Sequence, residues 1–255
     1  MSDTVRLEQS GAVALVTLDR PEGMNALTVQ QKTGLLEAVR AVRDDPSYRA
    51  LVLTGTGRAF SAGFDLGSIA DRAASAAAQP SAGSSFEIVA NRLEDLALPT
   101  ICRLNGGVYG GSTDLALACD FRIGIDSCEM FMPAARLGLH YYRGGIKRYV
   151  TRLGVNNAKR LFLTAQKIEA AEMLAIGYLT ASVPAAALDE EVDRLAEILA
   201  GNAPKAMAGM KRAINEFARG ELDEDAADAR ARDSMRGDEI KQGIAAFGEK
   251  RPPRF

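Results

Sequence analysis

Two glycines followed closely by one acid begin an apolar, helix-forming run, GGSTDLA (Gly110 to Ala116). The first N–H groups of a helix have no partner inside it and carry the positive end of its dipole. Since three residues bring a side chain back to nearly the same face, the Gly111 N–H and the Asp114 carboxylate can address one small volume. This spacing suits a donor to a developing oxyanion beside a general base. The simpler alternative is that Ser112 or Thr113 caps the helix and Asp114 only complements the dipole.

A second glycine turn, GTGRAFSAGFDL (Gly55 to Leu66), directly follows a short apolar run. It does not fit the dinucleotide pattern G-x-G-x-x-G, because Phe60 stands at the third glycine position, and it lacks the Gly-Lys-Ser/Thr of a P-loop. Small residues at Ala62 and Gly63 let the backbone come close to a ligand, so a free N–H there can donate to it. The alternative is an ordinary turn, the usual role of glycines after a strand.

The elements that must position these turns alternate between strands and helices. A capping box at Thr28 to Gln31 predicts the start of a helix with an apolar stripe. Four short apolar runs predict strands: Ala12 to Leu18, Ala50 to Gly55, Thr100 to Leu104 and Phe121 to Ile125. Strands separated by helices need crossover connections, which predicts an α/β fold with a largely parallel sheet.

The pattern changes near Asn156, after which every segment has helical spacing. We therefore predict a βα core in residues 1–195 and a helical region in residues 196–255. The Ala/Ser-rich stretch from Asp71 to Ser85 predicts a mobile loop or a loose helix.

Composition narrows the class of protein. The 255 residues carry a net charge of −2, which does not favour nucleic acid or an anionic membrane as the main partner. The longest apolar stretch, Ala170 to Leu188, is interrupted by Glu172 and Pro184, so no membrane span is expected. With His140 as the single histidine, no His-rich metal site is expected. Three cysteines without a C-x-x-C pair favour a reducing compartment, and the first residues lack an apolar signal core, so we expect a cytoplasmic protein.

Six segments, taken in order, resemble the crotonase superfamily, the enoyl-CoA hydratase/isomerase family. They cover nearly the whole chain: Leu18 to Leu27, Leu53 to Leu66, Asn105 to Ile123, Gly138 to Gly154, Asn157 to Thr180 and Pro204 to Lys211. The resemblance implies a spiral of βαβ units followed by C-terminal helices that build a homotrimer or a dimer of trimers. It also implies an acyl-CoA substrate, of which coenzyme A is part, and no separate cofactor.

The resemblance also assigns roles to individual residues. The backbone N–H groups of Phe64 and Gly111 would form an oxyanion hole for a thioester enolate. The residues expected along the pantetheine, near the nucleotide and around the acyl group are Met24, Ala26, Arg58, Ala62 and Leu66.

The sequence departs from the hydratase pattern at the two catalytic acids. The hydratases that the chain resembles use two catalytic glutamates. The position of the first glutamate is occupied by Asp114 in this sequence, and the position of the second, after Pro133, is occupied by Ala134. Alanine cannot transfer a proton, so hydration by the two-acid route is in doubt. Tyr141 aligns with a tyrosine of methylmalonyl-CoA decarboxylase, to which the segment Ala135 to Gly145 is similar in part.

Two further polar residues near Ala134 are candidates for substrate binding. Arg136 could hold a substrate carboxylate and His140 could titrate near neutrality, with a packing or surface role as the alternative for each. The leading hypothesis is an acyl-CoA thioester enzyme of the hydratase/isomerase family with Asp114 as acid/base. The alternatives are decarboxylation of a malonyl-type CoA thioester, or a CoA-binding protein that has lost catalysis.

Overall fold

The computed structural model describes residues 4–65 and 85–255, and its centre is a six-stranded sheet. The described strands, in chain order, are β1 (Val5–Ser10), β2 (Val13–Leu18), β3 (Ala50–Gly55), β4 (Ala59–Ser61), β5 (Thr100–Leu104), β6 (Gly107–Tyr109), β7 (Phe121–Ile125), β8 (Glu129–Phe131), β9 (Ile168–Glu169) and β10 (Ala181–Val183). The large sheet has the order β1-β2-β3-β5-β7-β10, in which only β1 and β2 are antiparallel. The predicted α/β class is confirmed.

A smaller sheet of order β4-β6-β8-β9 lies beside the large one. β4, β6 and β8 are parallel, and β9 closes the sheet in the antiparallel direction. The two glycine turns follow β4 and β6. Because the carboxyl ends of neighbouring parallel strands meet at one edge, this sheet brings the two turns together.

The described helices complete the fold. They are α1 (Val29–Asp44), α2 (Ser85–Glu94), α3 (Gly111–Ala118), α4 (Arg143–Thr164), α5 (Ala170–Ala175), α6 (Leu188–Gly201), α7 (Pro204–Arg219), α8 (Glu224–Ser234) and α9 (Asp238–Gly248). Short 3₁₀ turns cover Pro21–Gly23, Ala134–Leu137 and Ala185–Ala187. α4 is interrupted at Gly154, whose φ of 78° and ψ of 160° are not helical.

Strand β3 is buried on both faces of the large sheet. All six of its residues are buried, because both faces of the strand are covered. Leu51 and Leu53 point into a core shared with α1, whereas Ala50 and Val52 point into a second core shared with α6. Because successive side chains of a strand point to opposite faces, one continuous apolar run contributes to both apolar layers.

Half of the predicted capping box is present at the start of α1. The Thr28 hydroxyl accepts a hydrogen bond from the Gln31 N–H at 3.2 Å. The reciprocal bond is missing, since the Thr28 N–H donates to the Ala26 carbonyl and the buried Gln31 amide has no partner within the described residues.

Two expectations about the C-terminal half need correction. Residues after Asn156 are not only helical, because β9 and β10 each add a strand to one sheet. The boundary expected between residues 195 and 196 falls inside α6, whose Ala196 and Leu199 pack into the sheet core. A division after Gly201 fits the helices better, and the division into two domains stays a prediction. The stretch Asp71 to Ser85 lies, except for Ser85 at the start of α2, outside the described residues.

Helices α7 and α9 present apolar side chains to their surroundings. The exposed ones are Met210, Ile214, Phe217, Ile244 and Phe247. The expected trimer stays a prediction. Within residues 4–65 and 85–255, no helix combines the length and the apolar character that crossing a membrane requires.

Candidate active site

The two glycine turns touch through Gly63. This residue has φ of +82°, a conformation that side chains rarely tolerate. A Cβ atom on it would lie 2.3 Å from the Tyr109 carbonyl oxygen and 3.0 Å from the Gly111 nitrogen. Only glycine therefore lets the turn after β4 approach the turn after β6 so closely.

The N–H groups of Phe64 and Gly111 are available to a ligand. Gly111 is the first residue of α3, so its N–H has no partner within the helix. Elsewhere in the described part of the chain, neither N–H donates a hydrogen bond. The predicted pair of donors is thus brought together, one of them at a helix N-terminus where negative charge is favoured.

Ser112 fastens the two turns to each other. Its hydroxyl oxygen lies 2.9 Å from the Ser61 carbonyl oxygen and accepts from the Tyr109 N–H at 3.1 Å. The Ser61 hydroxyl in turn donates to the Asn25 carbonyl at 2.7 Å and accepts from the Gly63 N–H. The alternative of Ser112 or Thr113 as helix cap is wrong, since the capping position is Gly110 and no side chain caps it.

A cavity of about 600 Å³ opens at this junction. The volume lies in the range of small-molecule sites, roughly 300–1,000 Å³. Seven of the predicted site residues line it: Met24, Arg58, Ala62, Phe64, Gly111, Ala134 and Tyr141. The sequence did not single out the remaining wall: Ala59, Tyr109, Gly110, Phe131, Met132, Pro133, Leu137 and Leu139. Among the described lining residues there is no Asp or Glu.

Of the other predicted site residues, Asp114 is described below, and Arg136, His140 and Ala26 are not among the residues that line the cavity. Arg136 is exposed, with its guanidinium 5.3 Å from the centre of the Phe131 ring. His140 is exposed, with its Nδ1 2.8 Å from the Tyr141 carbonyl oxygen. Contact of Arg136 and His140 with substrate stays a prediction. Ala26 is part of the neighbouring loop but not of the wall. Leu66 lies outside the described residues.

Asp114 is fully buried and does not line the cavity. Its Oδ2 accepts from Arg148 Nη1 at 2.6 Å and from the Tyr142 hydroxyl. Its Oδ1 is also buried and has no partner among the described residues. Burial raises the pKa of Asp114, although the charge of Arg148 acts in the opposite direction. The helix spacing does bring Asp114 to the face of Gly111, but one oxygen is already engaged.

Arg148 links Asp114 to a second buried carboxylate. Its Nε lies 3.2 Å from Glu94 Oε1, and its Nη2 donates to Asn91 at 2.9 Å. Arg152 also approaches Glu94, at 3.2 Å. Burial alone raises the pKa of Glu94, but the charges of Arg148 and Arg152 outweigh burial and lower it. Arg148 was not predicted from the sequence. The feature that could have indicated it is a charged residue at helical spacing between Gly145 and Leu153, which are both buried in α4.

Tyr141 lines the cavity, but its hydroxyl oxygen is buried in the cavity wall. The residue is 5% exposed, and its hydroxyl has no hydrogen-bond partner within the described part of the chain. Burial, followed by the proximity of Tyr142 and Asp114, raises the pKa of Tyr141 well above the usual value. The hydroxyl therefore stays protonated at neutral pH and can donate.

An aromatic wall, defined as Phe64, Phe86, Tyr141 and Tyr142, stands beside the cavity. Phe64 and Phe86 pack edge to face with ring centroids 4.7 Å apart, and Phe86 meets Tyr142 in the same way at 5.9 Å. The rings of Tyr141 and Tyr142 are 4.5 Å apart. Tyr142 is the member of the wall that donates to Asp114.

Comparison with known proteins places the chain in a family. The family model for enoyl-CoA hydratase/isomerase matches residues 8–255. The crotonyl-CoA hydratase of Syntrophomonas wolfei is 32% identical over 99% of this chain and 98% of its own. The short-chain-enoyl-CoA hydratase of Clostridium acetobutylicum is 32% identical over 87% of this chain and 84% of its own. The crystal structure of an enoyl-CoA hydratase from Bacillus anthracis superposes with a TM-score of 0.89 at 29% identity, covering 99% of both chains.

The chain belongs to the enoyl-CoA hydratase/isomerase family, which confirms the resemblance found in the sequence. It is an enzyme of the acyl-CoA class.

Proposed function

We propose that the cavity binds an acyl-CoA thioester and stabilises its enolate. The observation that carries this proposal is the pair of N–H groups of Phe64 and Gly111 at the cavity wall, neither of which has a partner among the described residues. A thioester carbonyl oxygen that accepts from both donors gains stabilisation as negative charge develops on it. Removal of one donor from an oxyanion hole that stabilises an acyl-transfer intermediate costs roughly 10²–10³ in kcat.

The other lining residues support a thioester with a long polar arm. The Ala62 N–H donates a hydrogen bond to the Met24 carbonyl at 2.7 Å. This bond holds the two backbone segments side by side at the cavity wall, where pantetheine would lie along them. Arg58 lies at the same end of the cavity, with Nη2 3.3 Å from Met24 Sδ. Its guanidinium suits a phosphate of the nucleotide.

Acid–base chemistry by Asp114 is the first candidate for the reaction. It would use the carboxylate to move a proton between carbons or between carbon and water, as in the relatives named hydratases. It requires Asp114 to reach the cavity, from which the aromatic wall separates it. Ala134 at the second acid position adds no group that can transfer a proton.

Decarboxylation of a malonyl-type thioester is the second candidate, and the absence of Asp and Glu from the described cavity wall favours it. In this reaction the bond between the α-carbon and the carboxylate breaks, CO2 leaves, and the electron pair enters the thioester enolate. No base is needed. The α-carbon then takes a proton from the Tyr141 hydroxyl, which must first turn from its buried position toward the substrate, and the phenolate recovers one from water that enters the cavity.

A thioester panel tests the proposal. The purified protein is incubated with crotonyl-CoA, malonyl-CoA and methylmalonyl-CoA, and the products are identified by mass spectrometry, with thioester binding measured by calorimetry. Turnover of either malonyl-type thioester supports the second candidate, and hydration of crotonyl-CoA supports the first. Binding without any turnover would instead indicate a CoA-binding protein that has lost catalysis, and no binding would refute the proposal.

A further inference from the structure

We propose that the ring of Phe64 shuts Asp114 out of the cavity and thereby determines which reaction the site performs. The inference rests on the proposed function, since it requires an acyl-CoA thioester in the cavity. With the ring in place, the enolate forms without a carboxylate base. Without the ring, Asp114 can take a proton from the α-carbon of the substrate.

The position of the ring is fixed by its contact with α3. A Cβ atom built on Gly111 would lie 2.7 to 2.9 Å from three atoms at the tip of the Phe64 ring. The ring therefore covers the face of the helix at its first residue. Asp114 lies three residues further along the same face, so the ring stands between this carboxylate and the cavity that Phe64 and Gly111 line.

Neighbouring aromatic rings hold Phe64 in this position. Phe86 is almost fully buried and meets the Phe64 ring at an interplanar angle of 87°. On its other side Phe86 packs against Tyr142, whose hydroxyl donates to Asp114. The wall is thus continuous from the cavity to the carboxylate, and edge-to-face packing of this kind favours the observed ring positions.

The hidden carboxylate keeps one oxygen suited to act as a base. Oδ2 is engaged by Arg148 and Tyr142, whereas Oδ1 has no partner among the described residues. Access is what Asp114 lacks. In the step opened by removing the ring, the α-carbon C–H bond breaks, its electron pair enters the thioester enolate, and the proton goes to Oδ1. Return of a deuteron from D2O then labels the α-carbon.

The side chain of Phe64 can be removed without removing its N–H donor. Phe64→Ala keeps the backbone group that addresses the thioester oxygen and deletes only the ring. Phe131→Ala is the matched control, because Phe131 also lines the cavity but packs on Arg136 at its edge. Both variants enlarge the cavity by one aromatic ring, and only the first removes the ring that lies against Gly111.

The experiment measures α-carbon deuterium exchange of butyryl-CoA in D2O by mass spectrometry. Phe64→Ala is expected to exchange on the order of 100-fold faster than the native protein, the scale of a positioned general base. The gain should vanish in Phe64→Ala/Asp114→Asn, and Phe131→Ala should show no gain. Calorimetry with butyryl-CoA runs on every variant.

Three results would overturn the inference. The first is a Phe64→Ala variant that binds butyryl-CoA with no faster exchange. The second is native protein that already exchanges through Asp114 at the rate of the variant. The third is an equal gain in Phe131→Ala, which would assign the effect to cavity volume. Failure of the proposed function is distinct, since then neither the native protein nor the variants bind the thioester.

Discussion

The Asp114 carboxylate and the Arg148 guanidinium meet at 2.6 Å in a place where neither side chain is more than 2% exposed. The pair joins α3, which begins at the proposed oxyanion donor Gly111, to α4, and through Glu94 to α2. A buried ion pair of this kind is costly to break, because removal of one partner leaves a charge without compensation. Asp114, which the sequence predicts as the acid/base, thus also helps to hold together the helices that position the site.

Replacing Arg148 by methionine should therefore destabilise the fold strongly. Arg148→Met leaves Asp114 and Glu94 buried without their shared partner, and we expect a loss of about 3–5 kcal/mol in the free energy of unfolding. Urea denaturation followed by circular dichroism measures it. Arg160→Met removes a far more exposed partner of Glu172 and should cost less than about 1 kcal/mol. Equal losses of unfolding free energy in the two variants would show that the buried pair stabilises the fold no more than the exposed pair.

Gly63→Ala should abolish the oxyanion site. The new Cβ would meet the Tyr109 carbonyl oxygen at 2.3 Å, so the two turns have to separate and the donors no longer share one target. We expect kcat/KM on the accepted thioester to fall at least about 100-fold. Gly177→Ala is the control, because its φ of +77° carries the same backbone strain but nothing lies within 4 Å of the added atom. That variant should lose about 1–2 kcal/mol of stability and keep its kcat/KM.

Tyr141→Phe should separate stability from activity. The Tyr141 hydroxyl is buried without a partner among the described residues, so its removal should leave the thermal midpoint unchanged or raise it. Loss of the proposed proton donor should at the same time slow turnover of a malonyl-type thioester. Tyr178→Phe deletes a hydroxyl that donates to the Thr113 carbonyl at 2.9 Å and should cost about 1 kcal/mol. A lowered midpoint with unchanged turnover in Tyr141→Phe would assign the hydroxyl a purely structural role.

Acid should weaken the fold through Glu94. The charges of Arg148 and Arg152 hold the pKa of folded Glu94 below the ordinary value of 4.5. Glu94 therefore stabilises the native state above that value, and the stabilisation is lost as the pH falls through the folded pKa. The free energy of unfolding, measured in urea between pH 7 and pH 3, should thus decline below about pH 4.5 less steeply in Glu94→Gln than in the native protein. Glu197→Gln, at an exposed position of α6, should follow the native curve. Identical slopes for Glu94→Gln and the native protein would contradict the assignment.

The sequence was sufficient for the parts of the site that are local. The turns that carry Phe64 and Gly111 follow from glycine placement, whereas the strands that lead into them, β4 and β6, are only three residues long and were not predicted. The lining role of Ala134 and Tyr141 followed from the family pattern. Each of these depends on a few neighbouring residues, which is why short segments were informative.

The partners of Asp114 could not be inferred in the same way. The spacing from Gly111 gives the helix face, but the direction of the carboxylate is set by Arg148 and Tyr142, which lie 34 and 28 residues away in α4 and at its start. Arg136 and His140 are close to Ala134 in sequence but are not among the residues that line the cavity, because nearness in sequence does not fix the direction of a side chain in an irregular segment.

The backbone N–H and the side-chain ring of Phe64 have separate roles. The N–H faces the thioester oxygen in the proposed complex, and the ring packs on the first residue of α3. Any amino acid other than proline keeps the first role, so a codon change at this one position can alter the second alone. In the proposed mechanism, one substitution at position 64 would therefore change the reaction of the site and leave both N–H donors in place, which is a short evolutionary route between two chemistries.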